Sequence, residues 1–290
     1  MMQTNDAPSS DPIELRRERT FGQVISDTLS VLGAHLGTFL PALFVVVAVP
    51  LLVLIGALTV VGPFVGGMIA GLVALPLFWT MLAATFAYFL LYEDGFFARG
   101  ERLDPGVLWS ATKPLILPII WVQLAIGVLA FAPFAIVGYL AAEQESWALF
   151  AGLAIVGLPL LFVFLPAIAM ATPAAVMEGG NPIESLRRGV ALTKEHWGQT
   201  FGVYFVASIL AAVFGLPFSM SASFVMLFVE GTVGAAVFGV LTALGYVGYT
   251  VLFGALLVQY FNLVERKEGH QLEARVEEIG MEDDDEEPLF

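Results

Sequence analysis

The sequence contains no cysteine, which excludes disulfides, thiolate metal sites and cysteine nucleophiles. Charged residues are also scarce, because Asp, Glu, Lys and Arg together make up only 13% of the 290 residues, against roughly a quarter in soluble domains. Apolar residues account for 58% of the chain, and the mean hydropathy is +0.86. This composition is typical of an integral membrane protein with one membrane domain and short tails.

Long apolar runs supply the candidate membrane-spanning segments, since about 20 apolar residues are needed to cross roughly 30 Å of hydrocarbon. Hydropathy predicts an all-α membrane fold with six transmembrane helices, and five is the competing count. The six predicted spans are residues 39–61, 68–91, 115–140, 147–173, 200–220 and 235–261. A short apolar piece at 224–229 is expected to belong to the turn after the fifth span. The predicted domains are a flexible cytoplasmic N-terminal segment (1–19), the membrane domain (20–265) and an acidic cytoplasmic tail (266–290).

Asp, Glu, Lys, Arg and His are missing from all six predicted spans. Such groups usually mark proton relays, ion coupling and catalysis, so their absence argues against a pump or an intramembrane hydrolase. No nucleophile, base and orienting group converge in the sequence, and we expect a protein that is not an enzyme and uses no cofactor. The spans do contain mildly polar residues that we expect to bond between helices, with a path for a neutral or lipid-like solute as the alternative: Gln123, Tyr246, Tyr249 and Gln259.

The twelve basic residues fall into four clusters, at 16–19, 99–113, 187–194 and 266–275. With six spans, all four clusters lie on one face of the membrane. Because Lys and Arg are retained on the cytoplasmic side during insertion, we predict a multi-pass protein of the plasma (inner) membrane with both termini in the cytoplasm.

A shift of 161 residues superposes two stretches of the chain, placing Thr20 on Asn181 and His35 on His196. Each stretch begins with a helix-capping pattern, TFGQ or NPIE, followed by apolar residues at helical spacing. We predict two amphipathic helices in the cytoplasmic interface. A weaker third copy, ending at residues 113–114, completes an architecture of three units, each an interfacial helix followed by a transmembrane hairpin. A chance match between amphipathic helices is the alternative to a true repeat.

Residues near these helices are suited to the bilayer surface, where cations meet headgroups and Trp marks the boundary. The predicted lipid-contacting or interfacial residues are His35, Arg187, Arg188, Lys194, His196 and Trp197. The two histidines and Glu178 could also supply metal ligands, but no spacing such as HExxH is present, and we prefer polar residues at the water boundary. We expect membrane lipids, including anionic headgroups, as partners and no nucleic acid. A second copy of the chain or another membrane protein is an open alternative.

Short motifs surround the second copy. They include Pro173 and Glu178-Gly179 before the helix, Leu192-Thr193 and Trp197 at its end, and Lys267-Glu268-Gly269 after the last span. This pattern resembles the membrane domain associated with glycerophosphoryl diester phosphodiesterases and its free-standing prokaryotic relatives. One departure is Arg188-Gly189, where that family often has Arg-Ser. The resemblance implies the membrane module alone, because a phosphodiesterase barrel needs about 250 residues and the segments outside the predicted membrane domain are far shorter.

The function expected from these features is a non-enzymatic membrane scaffold or envelope-associated module whose cytoplasmic helices contact lipid. The alternative is a permease or lipid-handling transporter with a mostly apolar path between helices. The net charge of −14 owes much to the tail, where six consecutive acidic residues end at Glu287. We expect that run to be a solvated, unfolded segment.

Overall fold

The computed structural model describes residues 13–61, 63–144, 146–229 and 231–269. Within these ranges the regular structure is entirely helical, which confirms the all-α prediction. In chain order the helices are α1 Phe21–Ala34, α2 Leu36–Val46, α3 Ala48–Val61, α4 Pro63–Glu93, α5 Pro105–Glu143, α6 Trp147–Glu178, α7 Pro182–Thr193, α8 Trp197–Phe228, α9 Gly231–Val247 and α10 Tyr249–Val264. A π-helical turn, Glu265–Gly269, follows α10.

Several of these helices are compatible with a membrane protein. Five stretches are long and apolar enough to cross a bilayer: Leu75–Glu93, Pro105–Glu143, Ala154–Glu178, Trp197–Val225 and Val233–Gly269. The helices α1 and α2, which are bent by 80° relative to each other, pass the same test as a pair and raise the number to six. The described part of the chain therefore offers five or six spanning helices.

The structure differs from the hydropathy assignment at the first span. The predicted segment 39–61 is divided between α2 and α3, which meet at Val47. Pro50 lies in the first turn of α3, where a helix tolerates proline best because the N–H group it lacks would have no intrahelical partner. A new helix that begins just before Pro50 therefore costs less than a continuous one that passes through it.

Two other local predictions are wrong. A separate third interfacial helix ending at 113–114 is not formed, because α5 runs unbroken from Pro105 through Pro114 and Pro118 to Glu143. Packing against neighbouring helices can hold a helix together through a proline, which then bends it rather than ends it. The apolar piece assigned to a turn, 224–229, is instead helical up to Phe228 at the end of α8.

The centre of the bundle is α10, whose residues from Thr250 to Leu263 are all buried. Helices α1, α4, α6 and α8 pack around it. Gly254 permits one of these close approaches, because a methyl group there would lie 2.5 Å from the ring of Phe89. Small residues at such crossings are what helix packing in membranes favours.

Exposed large apolar side chains concentrate at one end of the long helices. They lie on α5 between residues 117 and 140, on α6 between 147 and 164, and on α8 between 205 and 228. Towards the opposite ends, next to the basic clusters, α4 and α10 are mostly buried within the protein. The molecule thus has an apolar belt at one end and a well-packed layer, which contains α1 and α7, at the other.

Candidate functional site

The helix α7 begins with reciprocal capping by Asn181 and Glu184. The side-chain oxygen of Asn181 accepts hydrogen bonds from the backbone N–H groups of Ile183 (3.1 Å) and Glu184 (3.0 Å). In return, the Glu184 carboxylate accepts from the backbone N–H of Asn181 at 3.2 Å. Pro182 occupies the first helical position. The predicted start of this helix is confirmed.

The helix α1 starts 161 residues earlier, at the equivalent position. The backbone N–H of Thr20 donates to the side-chain oxygen of Gln23 at 2.8 Å, and the helix begins at Phe21. His35 precedes α2 as His196 precedes α8. The start predicted from TFGQ is therefore also confirmed.

The two helices bury the same positions. Four buried residues of α1 correspond, 161 residues later, to four buried residues of α7. They are Val24, Thr28, Val31 and Leu32 in α1, and Ser185, Gly189, Leu192 and Thr193 in α7. The first helix packs on α8 and α10, and the second packs on α5 and α6. A methyl group at Gly189 would overlap the carbonyl oxygen of Ala167 and lie 3.1 Å from the backbone nitrogen of Ala171. Close contact with α6 thus fixes which side of α7 is buried.

The other side of α7 is exposed and carries both apolar and basic residues. Ile183 is 60% exposed and Val190 is 45% exposed. Arg187 and Lys194 are also exposed and share this face, because the four positions follow one another at steps of three or four residues. No ion pair within the described ranges includes Arg187 or Lys194.

Unlike Arg187 and Lys194, Arg188 forms ion pairs with carboxylates of the protein. Its guanidinium bonds the carboxylate of Glu178 at 2.6 Å and also bonds that of Glu268. The hydroxyl of Tyr260 donates to the same Glu178 at 2.7 Å. Burial acts to lower the pKa of Arg188, but the two carboxylates outweigh it and raise that pKa above its ordinary value. The charge of Arg188 is therefore compensated inside the protein.

Trp197 and the two histidines lie at helix junctions. The indole N–H of Trp197 donates to the carbonyl oxygen of Val163 at 2.7 Å, which ties the start of α8 to α6. The ring of His35 stacks on Phe97 with centroids 4.0 Å apart. Among the residues that the structure describes, which include both histidines and Glu178, no three potential ligands of these types come together.

The residues predicted for a polar path separate into different environments. Gln123 donates to the hydroxyl of Thr172 at 3.0 Å and lines a cavity of about 180 Å³ between α4, α5, α6, α8 and α10. Gln259 is fully buried elsewhere and donates to the hydroxyl of Thr200 at 3.2 Å. The structure thus places the two glutamines in separate hydrogen-bond networks.

The two tyrosines of that set surround one phenylalanine. The rings of Tyr246 and Tyr249 meet the ring of Phe78 edge-on, with centroids 6.2 and 6.3 Å apart. Phe78 itself lines the cavity beside Gln123. The tyrosines are therefore linked to the cavity through an aromatic cluster.

The sequence did not indicate that Arg19 is buried, yet it is 1% exposed and is the most deeply buried charged residue in the described ranges. Its guanidinium donates to the carboxylate of Asp27 at 2.7 Å and to the carbonyl oxygens of Leu15 (2.6 Å) and Arg17 (3.0 Å). Burial lowers the pKa of Arg19, while the hydrogen bond to Asp27 opposes that change. The available signal was a cluster of arginines immediately before a capped helix with an acidic residue on its second turn.

The backbone of Arg19 joins the start of the described chain to its end. Its N–H donates to the side chain of Asn262 at 2.6 Å. Its carbonyl oxygen accepts from Gln199 at 3.1 Å and from Arg266 at 2.6 Å. Residues 13–19, assigned to a flexible segment, therefore include buried side chains at Leu15 and Arg19, whereas residues 1–12 lie outside the described ranges.

Two ion pairs occupy equivalent positions with their charges exchanged. Arg17 and Asp27 bond at 2.8 Å, and the positions 161 residues later are Glu178 and Arg188, which bond at 2.6 Å. Either order of charges gives the same attraction, so the two contacts are physically equivalent. Each one joins an amphipathic helix to a residue that precedes it.

Comparison of the chain with protein-family models, curated proteins and solved structures finds no match in any of the three. The resemblance to the phosphodiesterase-associated membrane domain therefore stays a prediction.

Proposed function

We propose that the protein is a non-enzymatic membrane module that holds α1 and α7 at the cytoplasmic surface of the bilayer, where α7 contacts anionic lipid. The observation that carries this proposal is the exposed face of α7, on which Ile183 and Val190 alternate with Arg187 and Lys194. A helix with apolar and basic residues on one accessible side can place the former among acyl chains and the latter among phosphates.

The proposed membrane position follows from exposed aromatic residues on α5. Trp121 and Tyr139 are both exposed and lie about 27 Å apart at 1.5 Å per residue, close to the roughly 30 Å of the hydrocarbon core. Trp and Tyr favour the two membrane boundaries. We infer that the apolar belt lies in the bilayer and that the layer containing α1 and α7 faces the cytoplasm, with both termini on that side. The chain then crosses six times, and the first crossing is made by α2 and α3, because α1 lies at the surface.

A ring of three units accounts for the packing of the amphipathic helices. In this scheme, α7 of the third unit packs on α5 and α6 of the second, and α1 of the first packs on α8 and α10 of the third. The start of the second unit, within α5, packs on α2 and α4 of the first. The matched buried faces and the exchanged ion pair support internal repetition, although the second unit has no separate amphipathic helix.

Any preference for anionic lipid must be local, because the whole chain carries a net charge of −14 and is repelled by an anionic surface. A Lys or Arg close to such a surface contributes about 1 kcal/mol of attraction. Arg187 and Lys194 together are therefore sufficient for a measurable preference.

A transporter is the second candidate, and the cavity beside Gln123 is the observation that favours it. Its volume of about 180 Å³ lies below the roughly 300 Å³ at which small-molecule pockets usually begin. Elsewhere in the bundle α8 and α9 are in close contact, since a methyl group at Gly215 would lie 2.6 Å from the carbonyl oxygen of Gly245. These observations favour the membrane module over a permease.

The test is to measure the relative association of spin-labelled phosphatidylglycerol and phosphatidylcholine with the reconstituted protein. The wild type is expected to prefer phosphatidylglycerol, and Arg187→Gln combined with Lys194→Gln is expected to lower that preference several-fold. The matched control, Arg99→Gln with Arg102→Gln, removes the same charge from the loop before α5 and should keep the preference. Equal preference in the wild type and the α7 double variant would contradict the proposal.

A further inference from the structure

An apolar groove runs beneath the exposed face of α7. It has a volume of about 200 Å³ and lies between α5, α6 and α7. Every residue that lines it is apolar, with Leu129 and Ala130 from α5, Phe164 from α6, and Leu186 and Val190 from α7 among them. The groove is thus formed by the same helix that carries Arg187 and Lys194, which form no ion pair with the described residues.

We propose that this groove is a binding site for one acyl chain of an anionic phospholipid, whose phosphate lies at Arg187 and Lys194. This inference rests on the proposed function and names its ligand. Arg187 stands three residues before Val190 and Lys194 stands four residues after it, so both cations lie on the same side of α7 as this lining residue of the groove. One amphiphile can therefore fill the groove and neutralise the cations together.

Charge and size both select this occupant. Phosphatidylcholine carries a quaternary ammonium beside its phosphate and has no net charge, whereas phosphatidylglycerol presents its phosphate to Arg187 and Lys194 with a full negative charge. The volume of about 200 Å³ is too small for a drug-sized solute, yet it suits part of one flexible chain. A segment of protein is a poorer occupant, because its backbone polar groups would find no partner in an apolar lining.

The arrangement predicts lipid that is retained by the protein rather than merely enriched around it. Native mass spectrometry of the full chain, purified in the presence of equal phosphatidylglycerol and phosphatidylcholine, should show one retained phosphatidylglycerol. Ala130→Phe fills the groove and should reduce that retention several-fold, while leaving the spin-label preference of the α7 surface unchanged. Ala132→Phe, two positions along the same helix and outside the groove lining, is the matched control and should retain lipid like the wild type.

The outcomes separate the two proposals. If Ala130→Phe retains phosphatidylglycerol as well as the wild type does, while the Arg187→Gln and Lys194→Gln double variant loses its surface preference, the groove site is wrong and the proposed function stands. If the double variant changes neither measurement, both are wrong. Leu186→Phe fills the groove from α7 and replaces Ala130→Phe should that variant fail to fold.

Discussion

Arg19 is a charged residue with almost no exposed surface, and Asp27 is the anion that compensates it. Taking a charge out of water is costly, and the cost is recovered only when a partner and further hydrogen bonds are in place. Here the carbonyl oxygens of Leu15 and Arg17 supply those additional bonds. The pair is therefore stable as a unit but sensitive to the loss of either member.

Replacing Asp27 with Asn should destabilise the protein by about 3–5 kcal/mol, because it leaves the buried guanidinium without its anion. The measurement is the free energy of unfolding by steric trapping in a single type of micelle. The matched control is Glu101→Gln, which breaks the Arg99 pair whose side chains are 55% and 47% exposed; such surface pairs contribute about 0–1 kcal/mol. Equal losses in the two variants would refute the role assigned to the buried pair.

The caps and the buried charge differ in how far they could be predicted. The residues that cap α1 and α7 bond partners three positions away or nearer, so a short motif contains the whole interaction. The backbone of Arg19 bonds Gln199, Asn262 and Arg266, which are between 180 and 247 residues away. No local pattern identifies such partners before the helices that carry them are placed.

At the scale of helices, fit rather than hydrophobicity decides which face of α7 is buried. Ser185 and Gly189 are buried against the protein, whereas the larger Ile183 and Val190 are exposed. Periodicity predicts an amphipathic helix here, but it cannot say that Ser185 and Gly189 are buried beside Leu192 while Ile183 and Val190 face outwards. Exposed apolar residues are reasonable in a bilayer, since lipid is as apolar as a protein core.

Gly189→Ala should therefore separate α7 from α6. The added methyl group meets backbone at Ala167, which cannot move aside as a side chain can, and overpacking of this kind costs about 1–3 kcal/mol. Gly198→Ala is the control: it has open space around it in the first turn of α8 and should be neutral or stabilising, because Ala favours a helix by roughly 0.5–1 kcal/mol over Gly. Thermal unfolding in one detergent measures both, and an equally stable Gly189→Ala would contradict the close packing.

Hydropathy also cannot distinguish, on the long helices, residues buried inside the protein from residues exposed to lipid. The predicted span 68–91 includes residues 81–89, which are buried inside the protein. A side chain buried against protein and one exposed to lipid are equally apolar, so composition alone cannot place the bilayer along a helix. The folded molecule separates the two cases on the long helices α5, α6 and α8, because their exposed large apolar residues concentrate towards one end.

In the whole molecule, an apolar belt at one end adjoins a polar-edged helical layer at the other. The network around Arg19 ties the segment before α1 to α8 and α10, and the network around Arg188 ties α7 to the ends of α6 and α10. Both amphipathic helices are thereby fixed at the same end of the bundle. The basic clusters in the sequence predicted that both helices lie on one side. The contacts between the first and last helices could be identified only from the folded structure.

The proposed function requires α1 and α7 to lie on the same, cytoplasmic face of the membrane. Because the chain has no cysteine, single substitutions Ser26→Cys, Arg187→Cys and Glu143→Cys can each be labelled with a membrane-impermeant maleimide in vesicles of known orientation. We predict that the variants at Ser26 and Arg187 react only from the cytoplasmic side and that the Glu143 variant reacts only from the opposite side. Labelling of Arg187→Cys from the outer side, or of Ser26→Cys and Arg187→Cys from different sides, would contradict the account.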